Sequence, residues 1–157
     1  MKLVLVSLLM LSAQMSMAAT AGDFMGQYHL ESETALSKNS QPICSDSLDL
    51  SLNGNAMSVV TMVFNVTAEI NGPTVALQDS SRAGDFNIIF ANDVLSFNSV
   101  GALPAFLSPN EEKYQEVISL ELAAEADKIN VHHVFSSDMP DFNYESQCVY
   151  SKIESLE

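Results

Sequence analysis

Residues 48–54 read Leu48-Asp49-Leu50-Ser51-Leu52-Asn53-Gly54, so apolar and polar side chains alternate up to an Asn-Gly pair. Because successive side chains of a β-strand point to opposite faces, this alternation predicts a half-buried strand. An Asn-Gly pair between two such runs is a strong hairpin signal, since both residues tolerate a positive φ. We predict the partner strand over residues 57–66, which are rich in β-branched side chains. This hairpin places the chain in the all-β class.

Alternation of the same kind recurs on both sides of the hairpin. A first strand is predicted over 24–30, with Phe24, Gly26, Tyr28 and Leu30 on one face. Later strands are predicted over 74–78, 86–90, 94–97, 129–135 and 144–153, with 71–73 and 83–85 as turns. Their spacing predicts an antiparallel meander of about 8–10 strands, closed or nearly closed into a barrel with at most one short helical turn.

The stretch 109–126 leaves strand and helix open. Ser108, Pro109 and Glu111 fit a capping box with proline at the first helical position, and helix-forming residues follow. Against this, Ile118, Leu120 and Leu122 alternate with polar residues, as in a strand. We favour one helical turn followed by a hairpin into the strand at 129–135.

The first residues have the pattern of a secretory signal peptide. Lys2 precedes an apolar run from Leu3 to Leu11, and small residues follow at Ser16 and Ala18. The run is shorter than the roughly 20 residues that a membrane-spanning helix needs. We expect residues 1–18 to be a signal peptide and 19–157 to be a single β-barrel-like domain. The domain is expected to be exported to the periplasm or the extracellular space, without membrane insertion after cleavage.

Cys44 and Cys148 are the two cysteines of the chain. In an exported protein the default expectation is that they form a disulfide, and no CxxC spacing indicates redox chemistry. Cys44 lies near the start of the second predicted strand and Cys148 within the last. A bridge would therefore tie the two ends of the meander together, as barrel closure requires.

The chain is strongly acidic. Its 157 residues carry 6 basic and 20 acidic side chains, for a formal net charge of −14. Signal cleavage would remove Lys2 and no acid, so the acidity belongs to the exported domain. Such a surface repels phosphate backbones, which argues against nucleic acid as a partner.

The opening Phe24-Met25-Gly26-Gln27-Tyr28 resembles the glycine-x-aromatic start of lipocalin-like (calycin-type) proteins, with tyrosine where tryptophan is usual. The resemblance covers this strand and the general spacing of the predicted strands. Gly26 is equally explained by a bend or a close contact in any β domain. The resemblance implies an up-and-down barrel that binds a small or apolar ligand in its interior. Strand-face alternation selects the plausible lining residues, which are Phe24, Tyr28, Phe90, Phe97, His133 and Phe135.

No catalytic or metal-binding motif stands out. His132 and His133 are neighbours on a predicted strand, so they point to opposite faces and are poorly placed to share a metal ion. Glu111, Glu112 and Glu116, or Asp138 and Asp141, are the acids that would suit a weakly bound cation, but we interpret such a run of acids as a solvated face. The sequence has no G-x-S-x-G, S-x-x-K or H-E-x-x-H pattern. We therefore expect a protein without catalysis, metal or cofactor. The alternative to a ligand-binding barrel is an exported interaction module that binds a protein partner through its acidic surface.

Overall fold

The computed structural model describes residues 18–37, 44–61, 65–78, 83–103, 112–125 and 127–153. Over these residues the regular structure consists of ten β-strands and two short 3-10 turns, Ala21–Phe24 and Pro140–Phe142. The strands are β1 Gly26–Ala35, β2 Ser47–Asn53, β3 Ala56–Thr61, β4 Asn65–Glu69, β5 Val75–Gln78, β6 Ala83–Ala91, β7 Val94–Ala102, β8 Lys113–Leu122, β9 Lys128–Ser137 and β10 Tyr144–Lys152.

All ten strands belong to one antiparallel sheet with the order β4-β3-β2-β1-β10-β9-β8-β7-β6-β5. The first strand pairs with both β2 and β10, so the first and last strands meet inside the sheet. Apart from β1 and β10, all neighbouring strands are consecutive in the chain, as in a meander. The predicted all-β antiparallel meander, nearly closed into a barrel, is confirmed.

The edges of the sheet are β4 and β5, and residues 70–71, which follow β4, bond to β6. Ile70 forms an isolated parallel bridge with Ile88 of β6, and the Asn71 backbone N–H donates to the Ile88 carbonyl over 2.8 Å. The Asn71 side chain accepts from the Phe90 N–H (3.0 Å) and donates to the Phe90 carbonyl (3.2 Å). These bonds join the end of β4 to β6.

One end of the barrel, where β1 begins and β10 ends, is here called the lower end. The 3-10 turn Ala21–Phe24 lies there, and Phe24 is fully buried against the core. The Tyr28 hydroxyl donates to the Phe24 carbonyl over 2.9 Å, and the Phe24 and Phe90 rings meet edge to face. The turn therefore plugs the lower end.

Gly26 follows this plug directly. Its φ of 148° lies in a region that side-chain-bearing residues rarely adopt, and a Cβ there would meet the Lys152 side chain. Both a backbone bend and a close contact thus account for the glycine. The glycine-x-aromatic start belongs to the junction of plug and β1, not to a strand that begins at Phe24.

The predicted strand boundaries need three further corrections. The 57–66 segment forms β3 and β4, which pair antiparallel with each other, so it is not one strand. The hairpin after β2 has Gly54 and Asn55 as its two central residues, because Asn53 pairs with Ala56. Residues 83–85, predicted as a turn, lie within β6 and pair with β7.

Within the ambiguous stretch, 113–122 is strand β8, paired along its whole length with β7 and β9. The alternating apolar side chains share one face only in a strand, where Leu120 is buried, Ile118 is half-buried and Leu122 is exposed at the end of β8. The predicted helical turn at Ser108 lies outside the described residues.

Cys44 and Cys148 form the predicted disulfide, with a Cα–Cα distance of 6.4 Å. It joins the segment before β2 to the middle of β10, on opposite sides of β1. In the part of the chain that the structure describes, no helix is long and apolar enough to span a bilayer. The signal peptide falls almost entirely on residues 1–17, outside that part, and remains a prediction with the boundary at residue 18.

Candidate functional site

The barrel interior divides into an apolar lower half and a more polar upper half. The lower half is closely packed by large, fully buried side chains, namely Phe24, Tyr28, Leu50, Met57, Ile88, Leu95, Leu120 and Ile129. At the upper end, where β8 begins and β9 ends, inward positions carry polar groups. We call Ser99, Tyr114, Glu116, His133, Tyr144 and Ser146 the interior polar cluster; each is at most 9% exposed.

The register of three adjacent strands brings this cluster together. Phe135 of β9 pairs with Glu116 of β8 on one side and with Tyr144 of β10 on the other. His133 lies two residues back on the same face of β9, opposite Ser146. Because alternate residues share a face, these positions all project into the interior.

A buried hydrogen-bonded group of Glu116, His133 and Tyr144 forms the centre of the cluster. The His133 Nε2 lies 2.8 Å from the Glu116 Oε1 and 3.1 Å from the Tyr144 hydroxyl. The Tyr144 hydroxyl also donates to the Glu116 Oε1 over 3.4 Å. Beside this group, the Ser99 and Tyr114 hydroxyls lie 2.9 Å apart. Hydrogen bonding of this kind offsets the cost of burying polar groups.

Aromatic rings enclose the group from above. The Phe135 ring stacks between Tyr114 and Tyr144, with ring centroids 5.6 and 5.2 Å apart and nearly parallel planes. The His133 ring meets Tyr144 edge to face at 5.0 Å. The edge-to-face contact with Tyr144 helps to hold the imidazole in one orientation.

Ser146 differs from the rest of the cluster. It is 1% exposed, and its hydroxyl has no hydrogen-bond partner among the described residues. Although a serine, a histidine and a glutamate lie together here, a nucleophilic serine must be hydrogen-bonded to its base. Ser146 makes no such bond to His133, so these residues do not form an activated nucleophile in this conformation.

An interior cavity of about 50 Å³ adjoins the cluster. Glu116 and His133 form its polar wall, and the disulfide residue Cys44 lies at its edge. The other lining residues are Ser45, Leu48, Val59, Thr61, Phe97, Ile118, Val131 and Tyr150. A volume of this size holds one or two waters or a very small organic group, since a water occupies about 30 Å³.

Tyr150 adds a further polar group at the cavity. Its hydroxyl donates to the Ser45 carbonyl over 2.7 Å. Burial raises the pKa of this phenol well above its ordinary value, and the nearby carboxylates of Glu33 and Asp46 act in the same direction. Tyr150 is therefore a neutral hydrogen-bonding group at neutral pH.

The six predicted lining residues all belong to inward-facing positions, but they lie in three places. Phe97 and His133 line the cavity. Phe24, Tyr28 and Phe90 belong to the packed lower half, and Phe135 belongs to the aromatic stack. A role in ligand binding stays a prediction for all six.

Glu116 is the functional candidate that the sequence interpretation missed. It was assigned to a solvated acidic face, yet it is 3% exposed. The acidic neighbours at 111 and 112 suggested a charged surface, whereas the alternation of Tyr114, Glu116, Ile118 and Leu120 placed it on the inner face. The alternation along the strand was therefore a better predictor of the burial of Glu116 than the local acidic composition.

A second histidine–carboxylate pair lies outside the barrel. The His132 Nε2 is 2.8 Å from the Glu145 Oε1, and both side chains are about half exposed. The two histidines point to opposite faces, as the strand alternation predicts. Among the described residues, the group of three potential metal ligands in close contact is Glu33, Cys44 and Cys148, and its two cysteines are joined in the disulfide.

No protein-family model and no curated protein matches this sequence. Solved structures are similar in fold. Lipid binding protein 8 of Caenorhabditis elegans superposes with a TM-score of 0.56 at 12% identity, covering 85% of this chain and 98% of that one. The fatty acid transporter REP1-NXSQ gives 0.54 at 10% identity, covering 87% and 100%. Fatty-acid-binding protein 1 of Echinococcus granulosus gives 0.53 at 12%, covering 85% and 99%. Together with the strand order, these similarities show that the chain has a lipocalin-like β-barrel fold.

Proposed function

We propose that this protein is an exported carrier that binds one small molecule in the upper half of its barrel. The observation that carries the proposal is the buried Glu116–His133–Tyr144 group at the wall of an interior cavity. A few convergent polar groups beside apolar walls are typical of small-molecule sites. Three solved structures of similar fold are named as a fatty acid transporter, a lipid binding protein and a fatty-acid-binding protein, which supports the same class of function.

The cavity limits what the barrel holds in this conformation. Drug-sized ligands occupy pockets of roughly 300–1,000 Å³, whereas this cavity measures about 50 Å³. A long acyl chain would have to displace the packed side chains of the lower half. The carrier is therefore proposed to take a short ligand whose polar group contacts the interior polar cluster.

Export is part of the proposal. The amino-terminal pattern of a signal peptide supports it, and so does the disulfide, because such bonds persist in oxidising compartments. The periplasm and the extracellular space both satisfy this condition.

A second function is favoured by the close packing of the lower half. An exported interaction module would need a solid core and an accessible acidic surface. The net charge of −14 supplies such a surface. In this alternative the interior polar cluster would serve structure only, and the partner would be a protein.

Native mass spectrometry of the protein purified from its exported fraction tests the two functions. The carrier is expected to show an added small-molecule mass that is lost on denaturation. A bare chain that co-purifies with a second protein would instead support the interaction module and overturn the carrier.

A cavity-filling variant sharpens this test. Val131→Phe adds bulk at the cavity wall, so it is expected to abolish the added mass. Val134→Phe is the matched control, because it lies on the outer face of the same strand and should retain the mass. Near-ultraviolet circular dichroism checks that both variants are folded. Retention of the small molecule by folded Val131→Phe would place the ligand elsewhere.

A further inference from the structure

We propose that reduction of the Cys44–Cys148 disulfide converts this part of the barrel into a zinc site, with the two cysteine thiolates and the Glu33 carboxylate as its ligands. This inference goes beyond the carrier function proposed above and does not rest on it. It follows from the position of Glu33, from the bonds that hold Cys44 in place and from the chemistry of the three groups.

An irregularity in β1 places Glu33 beside the cysteines. The register of β1 with β10 shifts by one residue between Leu30 and Ser32, as in a β-bulge. Because of this shift Glu33, and not Ser32, lies directly opposite Cys148. Glu33 is half-buried, whereas Ser32 is exposed. Bulges often re-aim a side chain beside a functional site, and this one brings a carboxylate next to the disulfide.

The three groups are close enough to share one metal ion. A carboxylate oxygen of Glu33 and the sulfurs of Cys44 and Cys148 all lie within 4.8 Å of one another. A tetrahedral zinc ion, with Zn–S distances of about 2.3 Å and a Zn–O distance of about 2.1 Å, holds its ligand atoms roughly 3.5–3.8 Å apart. Once the S–S bond is broken, rotation of the cysteine side chains brings the sulfurs to this spacing. Water takes the fourth position, as in other zinc sites with three protein ligands.

Hydrogen bonds hold the segment before β2 in place independently of the disulfide. The Cys44 backbone N–H donates to the Glu33 Oε1 over 2.6 Å, and the Tyr150 hydroxyl donates to the Ser45 carbonyl over 2.7 Å. These bonds join the segment to β1 and to β10. We therefore expect reduction to leave the Cys44 thiol beside Glu33 and Cys148. A carboxylate has two oxygens and several lone pairs, so its bond to the Cys44 N–H leaves it able to bind a metal.

The donor atoms suit zinc, and only the reduced protein offers all of them. Thiolate sulfur and carboxylate oxygen are both ordinary zinc ligands, whereas the sulfurs of a disulfide carry no negative charge. Reduction adds two electrons and two protons to the S–S bond and gives two thiols. A dithiol supplies them and is itself oxidised to a disulfide. Zn²⁺ then binds the two sulfurs and releases their protons to water.

Competition for Zn²⁺ between the purified protein and a chromophoric chelator, at constant pH, tests the site. A phosphine serves as the reductant in this experiment, because a dithiol would itself bind zinc; the phosphine is oxidised to its oxide with an oxygen atom from water. We expect the reduced wild-type protein to bind one Zn²⁺ per chain, about a hundredfold or more tightly than the oxidised protein, because the thiolate ligands exist only after reduction.

Two matched variants separate zinc ligation from the general attraction of a cation to an acidic protein. Glu33→Gln keeps an acceptor for the Cys44 N–H but loses the charge. It should weaken zinc binding by the reduced protein at least about tenfold, since changes even in the groups around a metal's ligands cost roughly 10–100-fold. Glu31→Gln, at an exposed position of the same strand, should change the affinity less than about twofold, because exposed charges are screened.

Near-ultraviolet circular dichroism covers the case in which the reduced protein unfolds without metal. Zinc is then expected to restore the spectrum of the folded protein, because a metal that binds the folded state stabilises it. Zinc binding without this recovery would come from the thiols of an unfolded chain and would overturn the proposal. Equal zinc affinities of the reduced and oxidised proteins, or equal affinities of reduced Glu33→Gln and Glu31→Gln, would overturn it as well.

Discussion

At the scale of the residue, Asn71 shows how one side chain ties the segment after β4 to β6. It has a φ of 56°, which favours asparagine or glycine, and its amide bonds to both backbone groups of Phe90. Because the chain continues from here to β5 at the other edge, Asn71 is the position at which the near closure of the barrel can be tested most locally.

We expect Asn71→Ala to lower the free energy of unfolding by about 1–3 kcal/mol, since it loses two hydrogen bonds and strains the backbone. Asn71→Gly loses the hydrogen bonds but relieves the backbone strain, so its free energy of unfolding should lie between those of the wild type and Asn71→Ala. Asn92→Gly, in the turn between β6 and β7 with a φ of 53°, is the control and should change stability by less than about 0.5 kcal/mol. Urea unfolding measures all three, and an Asn71→Ala protein as stable as the wild type would contradict the role.

Tyr150 provides a residue-scale prediction about pH. Its pKa is raised by burial in the folded state, so the fold favours the neutral phenol. The associated stability is fully present below the ordinary tyrosine pKa of about 10 and is lost as the pH rises toward the folded value. We expect unfolding free energies to fall above about pH 10, and Tyr150→Phe to flatten that decline. Denaturant unfolding across this range gives the result; an unchanged slope in Tyr150→Phe would assign the decline to other groups.

At the scale of the element, the pairing of β6 with β7 depends on two glycines that face each other. Gly84 pairs with Gly101, and a Cβ on Gly84 would meet the Val100 carbonyl oxygen while one on Gly101 would meet the Ala83 carbonyl oxygen. Backbone atoms in a paired strand cannot move aside as easily as the end of a flexible side chain can. The close approach of these strands therefore requires glycine at both positions.

Gly84→Ala is expected to destabilise the protein by about 1–3 kcal/mol, the usual cost of forcing extra volume into a packed region. Asp85→Ala, at the exposed neighbouring position, should cost less than about 0.5 kcal/mol. Thermal and urea unfolding compare the two. If Gly84→Ala is as stable as Asp85→Ala, the requirement for glycine at position 84 is contradicted.

Part of the structure at this scale could be predicted from the sequence. The alternation of apolar and polar side chains identified β2, β9 and β10 and placed His133 inside, because alternation is a local property. It did not separate β3 from β4, since apolar residues run through 57–66 without a turn signal that sequence rules recognise. The burial of Glu116 was also missed, because it depends on His133 and Tyr144, which lie on two other strands. Local sequence patterns thus predicted individual strands, whereas the site depends on the register between strands.

At the scale of the whole molecule, the disulfide connects sequence positions 104 residues apart. It joins the segment before β2 to β10, and Cys44 lies at the cavity edge. In the chain-entropy model a loop of about 100 residues contributes roughly 4.7 kcal/mol by restricting the unfolded state. The bond should therefore matter more for global stability than for the local shape of the site.

We expect the Cys44→Ser/Cys148→Ser variant to lose about 2–5 kcal/mol of unfolding free energy. For the native protein, alkylation without reductant should leave the mass unchanged, and alkylation after reduction should increase it. The reduced wild-type protein is the control for the loss of sulfur packing. Alkylation of the untreated protein would show that the thiols are free.

The interior location of the ligand is the central claim, and the two histidine pairs allow a direct measurement. His133 lies inside and His132 outside, each 2.8 Å from a glutamate. The imidazole nitrogens of ¹⁵N-histidine-labelled protein can be followed by NMR as the small molecule released by denaturing the exported protein is added back at fixed pH. We expect the His133 signals to shift to saturation while those of His132 stay unchanged. Shifts confined to His132, or no shift at His133, would contradict it.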